Sequence, residues 1–282
     1  MTESPVTTET YEALRPLAFS IAYRMLGSVA EAEDVVQEAL LRLHRAESVE
    51  HPRAFVATVV TRLSIDVLRS ARARRETYVG PWLPEPIVTE SRPDDESVSV
   101  ALLVTLESLT PVERAVFLLH DVFDYGYDEI AEIVGKSREN CRQLALRARR
   151  HVEARRVRFD TSREQRERLA ARFFDAVREG DLDGLVTLLA DDAVASGDGG
   201  GKAEARTTPL RGALKVARFM IGLGRLSERR AYTLELVELN GEPGAIVRDD
   251  GEVVSTLVVE VRGEEITALH AVANPDKLRH LS

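Results

Sequence analysis

Apolar positions recur with a helical period through the first part of the chain. In SVAEAEDVVQEALLRLHR, residues 28–45, Val35, Val36, Ala39, Leu40 and Leu43 fall on one face, the spacing of an amphipathic helix. Ser28 with Glu31 three residues on reads as a capping box, which satisfies backbone N–H groups that the first turn leaves without partners. A second helix is predicted over HPRAFVATVVTRLSIDVLRSARARRE, with Pro52 in its first turn and a stripe of Phe55, Val59, Leu63, Val67 and Leu68. The period is lost over residues 77–97, TYVGPWLPEPIVTESRPDDES, whose four prolines predict an extended linker. It returns afterwards. Thr110-Pro111-Val112-Glu113 combines an N-cap, a proline at the first helical position and a box-closing glutamate. YDEIAEIVGKSRENCRQLALRARRHV then reads as two helices joined by a turn at Gly135, the second capped by Ser137, a helix-turn-helix pattern.

From residue 163 the pattern changes. One helix, REQRERLAARFFDAVREG, is followed by alternating or β-branched segments: AYTLELVEL, GAIVRD, EVVSTLVVEVRG and EITALHAVAN. Asn240-Gly241 and Asp250-Gly251 supply turns between them. Helices first and strands afterwards predict an α+β domain with an antiparallel sheet. The expected organisation is therefore multidomain: 1–77 all-α, 78–97 linker, 98–158 all-α with the helix-turn-helix, and 163–282 α+β.

Charge sharpens this picture. The net charge is −9, which argues against a uniformly basic nucleic-acid binder, but the charge is uneven. Residues 62–75 hold five arginines and one aspartate, and residues 137–158 hold eight arginines against two glutamates. Between them, residues 85–96 hold five acidic residues and one arginine. The single cysteine, Cys141, excludes an internal disulfide and suits a reducing cytosol. No apolar run has the length of a membrane span and the first residues lack a secretory pattern, so a cytoplasmic location is expected.

The second helix of the helix-turn-helix separates into two faces. Cys141, Leu144, Ala145, Ala148 and Val152 form the packing face, while Arg138, Arg142, Gln143, Leu146 and Arg147 lie mostly on another. Arginine can bind guanine in a bidentate way, glutamine can pair with adenine, and an apolar side chain can meet a thymine methyl. Arg149 and Arg150, with Arg155 and Arg156, suit phosphates, which position without specifying. In the earlier basic helix, Arg62, Arg69 and Arg72 share a face with Asp66, which reads equally as a salt-bridged surface or a grip on DNA backbone.

Two short phrases stand apart. Trp82, the only tryptophan, lies between prolines in WLPEP. A large apolar ring with one N–H is better docked than solvated, and docking on a neighbouring domain is expected. SGDGGGK, residues 196–202, suggests a phosphate cradle, but Ser196 stands where the pattern needs glycine and Ala203 where it needs a hydroxyl. It reads instead as a contact loop between domains, with Asp198 and Lys202 supplying opposite charges at its ends. For catalysis the candidates are Asp198 and His270 with Asp191 or Asp192; no spacing among them compels it, and no enzyme activity, cofactor or metal is expected.

Taken in order, these segments resemble the extracytoplasmic-function RNA polymerase sigma factors. SVAEAEDVVQEALLRLHR is similar to the conserved region 2 helix that docks on polymerase, and HPRAFVATVVTRLSIDVLRSARARRE to the segment that reads and melts the −10 element. LTPVERAVFLLHDVFDYGYDEIAEIVGKSRENCRQLALRARR is similar to region 4, which reads the −35 element. WLPEP, DGGGK at 198–202 and NPDKL at 274–278 resemble a subgroup with a fused SnoaL-like domain, a cone-shaped α+β (NTF2-like) fold. The resemblance implies core RNA polymerase and promoter DNA as partners. It implies that Asp34, Gln37, Glu38 and Leu41 face polymerase, that Phe55, Arg62, Arg69 and Arg72 serve the −10 element, and that Arg142, Gln143, Leu146 and Arg147 read −35 bases. Phe55 stands where many relatives carry tryptophan. The C-terminal domain is implied to regulate from within the chain. Trp82, Leu83 and Pro84 are expected to meet Asp198, Gly199, Gly200 and Lys202, or Asn274, Pro275, Asp276 and Lys277. The alternative reading is a helix-turn-helix regulator with a ligand-sensing or catalytic C-terminal domain, which would bind DNA without polymerase.

Overall fold

Three helices open the chain: α1 (Thr8–Leu26), α2 (Val29–Arg45) and α3 (Pro52–Glu76). The structure is a computed structural model describing residues 8–46, 48–89, 98–153 and 161–282, with backbone alone for 8, 71–76 and 153. After α3, residues 78–89 form no helix, and the later helices are α4 (Val100–Leu106), α5 (Pro111–Asp121), α6 (Tyr127–Val134) and α7 (Arg138–Glu153). Contacts divide the whole into two units, Met1–Glu76 with Leu103–Arg156, and Thr77–Leu102 with Val157–Ser282.

In the first unit the caps form as their residues dictate. Ser28 Oγ accepts from the Glu31 amide at 3.2 Å. Thr110 and Glu113 close a reciprocal box at the start of α5, at 3.3 and 3.1 Å. The buried face of α3 is displaced from the expected stripe. It consists of Val56, Ala57, Val60, Ile65 and Leu68 with Thr61 and Ser64, whereas Phe55, Val59, Leu63 and Val67 are half-buried. Alanine, serine and threonine allow the close approach to α1, and a search for large apolar residues passes over them. Around the helix-turn-helix, Val116, Leu119, Ile130, Ile133, Cys141 and Ala145 make one core.

Two arginines tie this unit together through carbonyls at helix ends. Arg62 of α3 donates to the Ile133 and Glu132 carbonyl oxygens at 2.9 and 2.8 Å, at the C-terminal end of α6. A cation there also complements the helix dipole. Arg114 of α5, only 3% exposed, donates to the Met25 carbonyl oxygen at 2.6 Å and to Glu107 at 2.8 Å.

The second unit has α8 (Arg163–Glu179), α9 (Leu182–Leu188) and α10 (Ala213–Arg229) packed on a six-stranded sheet. Its strands are β1 (Leu189–Asp198), β2 (Leu210–Arg211), β3 (Thr233–Leu239), β4 (Glu242–Asp249), β5 (Glu252–Arg262) and β6 (Glu265–Val272), in the order β2-β1-β6-β5-β4-β3. Phe173, Leu185, Val216, Val259, Ile266 and Leu269 lie at the centre of its core. The expected antiparallel sheet needs one correction: β1 pairs parallel to β6, with Ser196 opposite His270 and Asp198 opposite Val272. A parallel neighbour needs a long crossover, here everything between β1 and β6. Among the described residues no helix is long and apolar enough to cross a membrane.

Removing Arg114 would leave a buried carbonyl and a largely buried carboxylate without their cation. Arg114→Met is expected to cost about 3–5 kcal/mol, read by thermal unfolding. Arg69→Met, which breaks the exposed Arg69–Asp66 pair, should change the melting temperature little.

Candidate functional site

Asp198, at the end of β1, has no exposed surface. Its carboxylate gathers partners from two distant segments and from its own loop. Tyr78 donates its hydroxyl to Oδ1 at 2.6 Å, and the Leu83 amide donates to Oδ2 at 2.8 Å. Lys277 Nζ donates to Oδ2 at 2.7 Å and also to the Leu83 carbonyl oxygen. The Gly200 amide completes the set at 3.1 Å. Asn274 donates to the Tyr78 hydroxyl at 2.9 Å, and its own amide bonds the Asp198 carbonyl oxygen at 3.0 Å. Burial, then the bond to Asp198, pushes the Tyr78 hydroxyl well above the ordinary phenol range.

Trp82 contributes its face to the same cluster. Lys277 Nζ lies 3.9 Å from the centroid of that ring and 5.2 Å from that of Tyr78, so a buried ammonium meets one carboxylate and two π faces. Gly200 has φ +57°, and a Cβ there would stand 2.2 Å from Asn274 Nδ2; only glycine fits. Gly199 turns against the Ala203 carbonyl and Gly201 against Val79. Pro84 is buried, and Pro275, itself exposed, opens a 3-10 turn over Pro275–Lys277 that ends on the buried lysine.

Lys202 is not the partner of Asp198. It pairs with Asp276, which also takes Arg279 at 2.6 Å; the bond to Lys202 leads in holding the Asp276 carboxyl below its usual range. Residues 78–89 thus form a strap on the sheet domain. Its far end is pinned to the β3–β4 turn: the Asn240 amide bonds the Ile87 carbonyl at 2.8 Å, the Ile87 amide bonds Asn240 Oδ1 at 3.0 Å, and the Thr89 amide bonds the Glu238 carbonyl at 3.0 Å.

The predicted DNA-reading side chains lie on α7. Arg142, Gln143, Arg147 and Arg150 are exposed, and Leu146 is 49% exposed between them. Arg138 pairs with Asp128 at 3.3 Å. Arg149 turns toward α5, bonding Asp121 at 2.7 Å and His120 at 2.9 Å. On α3, Arg69 is exposed beside Asp66, Phe55 is half-buried, and Arg62 is held by α6. The side chain of Arg72 lies outside the described residues, as do Arg155 and Arg156. On α2, Asp34, Gln37 and Leu41 are exposed, while Glu38 bonds Arg42 at 2.7 Å. Gln37 and Leu41 line a groove of about 450 Å³ with Tyr11, Glu33, Leu40 and His44.

His270 is 8% exposed, with Nε2 3.5 Å from Glu260. Burial alone would raise the Glu260 carboxyl, but His270 and Arg262 outweigh it and hold it below its usual range. Glu242, near Arg166, is instead raised to about 7 by burial. Asp191 and Asp192 are exposed at the start of β1, away from the Asp198 end of that strand.

Two family models match. Residues 10–74 match sigma-70 region 2 and residues 99–152 match sigma-70 region 4. The chain is 40% identical to the ECF RNA polymerase sigma factor SigJ of Mycobacterium tuberculosis, over 95% of this chain and 91% of that one. It is 31% identical to the probable ECF sigma factor SigI of the same species, over 99% and 97%. The crystal structure of M. tuberculosis SigJ superposes with a TM-score of 0.79 at 37% identity, covering 96% of this chain and 98% of that one.

Two outcomes test the geometry. Lys277→Met should destabilise the second unit by about 3–5 kcal/mol, because it strands a buried carboxylate, whereas Lys202→Ala, in an exposed pair, should leave the melting temperature nearly unchanged. Glu242 holds its proton in the folded chain at pH values where the unfolded chain has released it. Stability is therefore lost as pH rises from 4.5 through about 7. Glu242→Gln should raise the melting temperature at about pH 8 and make little difference near pH 4.

With regions 2 and 4 both matched and whole-length relatives in one family, the chain belongs to the extracytoplasmic-function RNA polymerase sigma factors, non-enzymatic proteins that bind core RNA polymerase and direct initiation at promoters.

Proposed function

We propose that the C-terminal unit is a built-in regulator of this sigma factor and that the strap at residues 78–89 is its point of control. The observation that supports this most is the buried Asp198 carboxylate, whose partners include two groups of the strap and one of the tail. The strap lies within the connection between regions 2 and 4. Undocked, residues 77–99 reach about 80 Å at roughly 3.4 Å per residue. Docked, only residues 90–99 remain to extend beyond the strap's fixed span, about 35 Å. Docking fixes about half of that tether in place and so limits the freedom with which the two DNA-reading regions can be placed, and release restores that freedom.

In this reading Arg142, Gln143, Leu146 and Arg147 read −35 bases, with Arg138 and Arg150 on phosphates and Arg149 positioning α7. Phe55, Arg69 and Arg72 serve the −10 element. Arg62 joins them once it gives up the carbonyls of α6. Asp34, Gln37, Glu38 and Leu41 meet polymerase, the protein works in the cytoplasm, and the C-terminal unit performs no catalysis of its own.

Promoter-dependent run-off transcription with reconstituted holoenzyme tests the control point. Trp82→Ala and Lys277→Met should each raise initiation several-fold, and the double variant should equal the stronger single one, since both release one contact. Strictly additive effects, or no change, would contradict a shared restraint.

A further inference from the structure

The solvent face of α10 carries an arrangement that neither folding nor the strap uses. At 100° per residue, Lys215, Arg218, Gly222, Arg225 and Arg229 fall within an arc of about 80°, and all five are exposed. Leu214 and Leu226 mark its two margins, and Glu228, the helix's only acid, lies outside it. Elsewhere in this unit cations are mostly paired: Arg163 with Glu167 and Glu238, Arg166 with Glu242, Arg178 with Asp175, Arg248 with Glu235, Arg262 with Glu260 and Arg279 with Asp276. Among the described residues, Lys215, Arg218, Arg225 and Arg229 have no carboxylate within ion-pair distance. In a chain of net charge −9, an unneutralised row of cations along one helix requires an explanation outside the fold.

Gly222 is the second, independent observation. Glycine inside a helix is unfavourable, so packing should explain it. For Gly224 packing does: a Cβ would stand 2.9 Å from Val177 Cγ1 and 3.2 Å from its carbonyl oxygen. For Gly222 nothing lies within 4 Å of that Cβ. A bare backbone at the centre of a cationic arc allows close approach by a partner. The arc runs about 21 Å along the helix, the length of about six base pairs of duplex. A protein partner would call for an apolar centre with charges at the rim; here the centre is glycine and cations, and the leucines lie at the margins.

We infer that the outward face of α10 docks on the phosphate backbone of the promoter duplex, a sequence-independent contact made by the C-terminal unit itself. Once region 4 holds the promoter, tethering supplies the effective concentration that a few phosphate contacts need. The inference does not depend on the strap being a control point.

Holoenzyme carrying Arg218→Ala/Arg225→Ala/Arg229→Ala, all exposed changes that should leave unfolding unaltered, is titrated against a fluorescein-labelled promoter duplex at several salt concentrations. Affinity should fall about tenfold or more, and the slope of log K against log salt should shrink by roughly 2–3. A non-promoter duplex of equal length should lose the same factor. Gly222→Gln, neutral and a better helix former, should raise the melting temperature yet weaken duplex binding several-fold. Unchanged affinity and slope in the triple variant would overturn the inference. So would a loss confined to core polymerase binding without DNA, which would assign the face to a protein, and duplex binding by Gly222→Gln that equals the parent's would remove the close approach.

Discussion

A carboxylate with no exposure cannot remain charged without partners, and Asp198 fixes where several segments of this protein must be. Its ammonium comes from the tail, its hydroxyl and one amide from the strap, and its second amide from the glycine loop. Departure of the tail would strand the charge, whereas the strap and the glycine loop supply neutral donors whose loss leaves the ion pair under-bonded. WLPEP, DGGGK and NPDKL are thus three sides of one site rather than three motifs. Gly200 follows from the same constraint, because Asn274 and Tyr78 occupy the space where a side chain would go.

The helical unit uses a different economy. Arg62 and Arg114 spend their donors on backbone carbonyls, Arg62 at the end of α6 and Arg114 at Met25, near the end of α1. Arg149 spends its own on Asp121 and His120. The small apolar face of α7, with Cys141, Ala145 and Ala148 fully buried, seats that helix closely and leaves Arg142, Gln143, Leu146 and Arg147 facing solvent. The arginines that hold the unit together, Arg62, Arg114 and Arg149, are thus distinct from Arg142 and Arg147, which stay exposed.

Much of this was legible in the sequence because local rules governed it. Capping residues, the period of α2 and the split faces of α7 need only neighbours a few positions away. The later strands announced themselves by alternation and by Asn240-Gly241. What escaped depended on distant partners. β1 begins with exposed Asp191 and Asp192 and pairs parallel with the last strand, so nothing local marked it. The buried face of α3 departs from its large apolar stripe because Ala57, Thr61 and Ser64 carry part of it. Asp198 and Lys202 read as opposite charges of one loop, but each found a partner in the tail instead. Nothing in the local sequence sets the cations of α10 apart, because their lack of an ion-pair partner among the described residues depends on how the chain folds.

The central claim is that the strap is docked in the resting sigma factor and released at a promoter. Hydrogen exchange at the Leu83 amide, which is buried and donates to Asp198 at 2.8 Å, reports opening of the docked strap. Strong protection in the free chain, lost in the promoter-bound holoenzyme, is the predicted result. Equal protection in both states would mean that the strap stays docked during initiation, and would contradict the account.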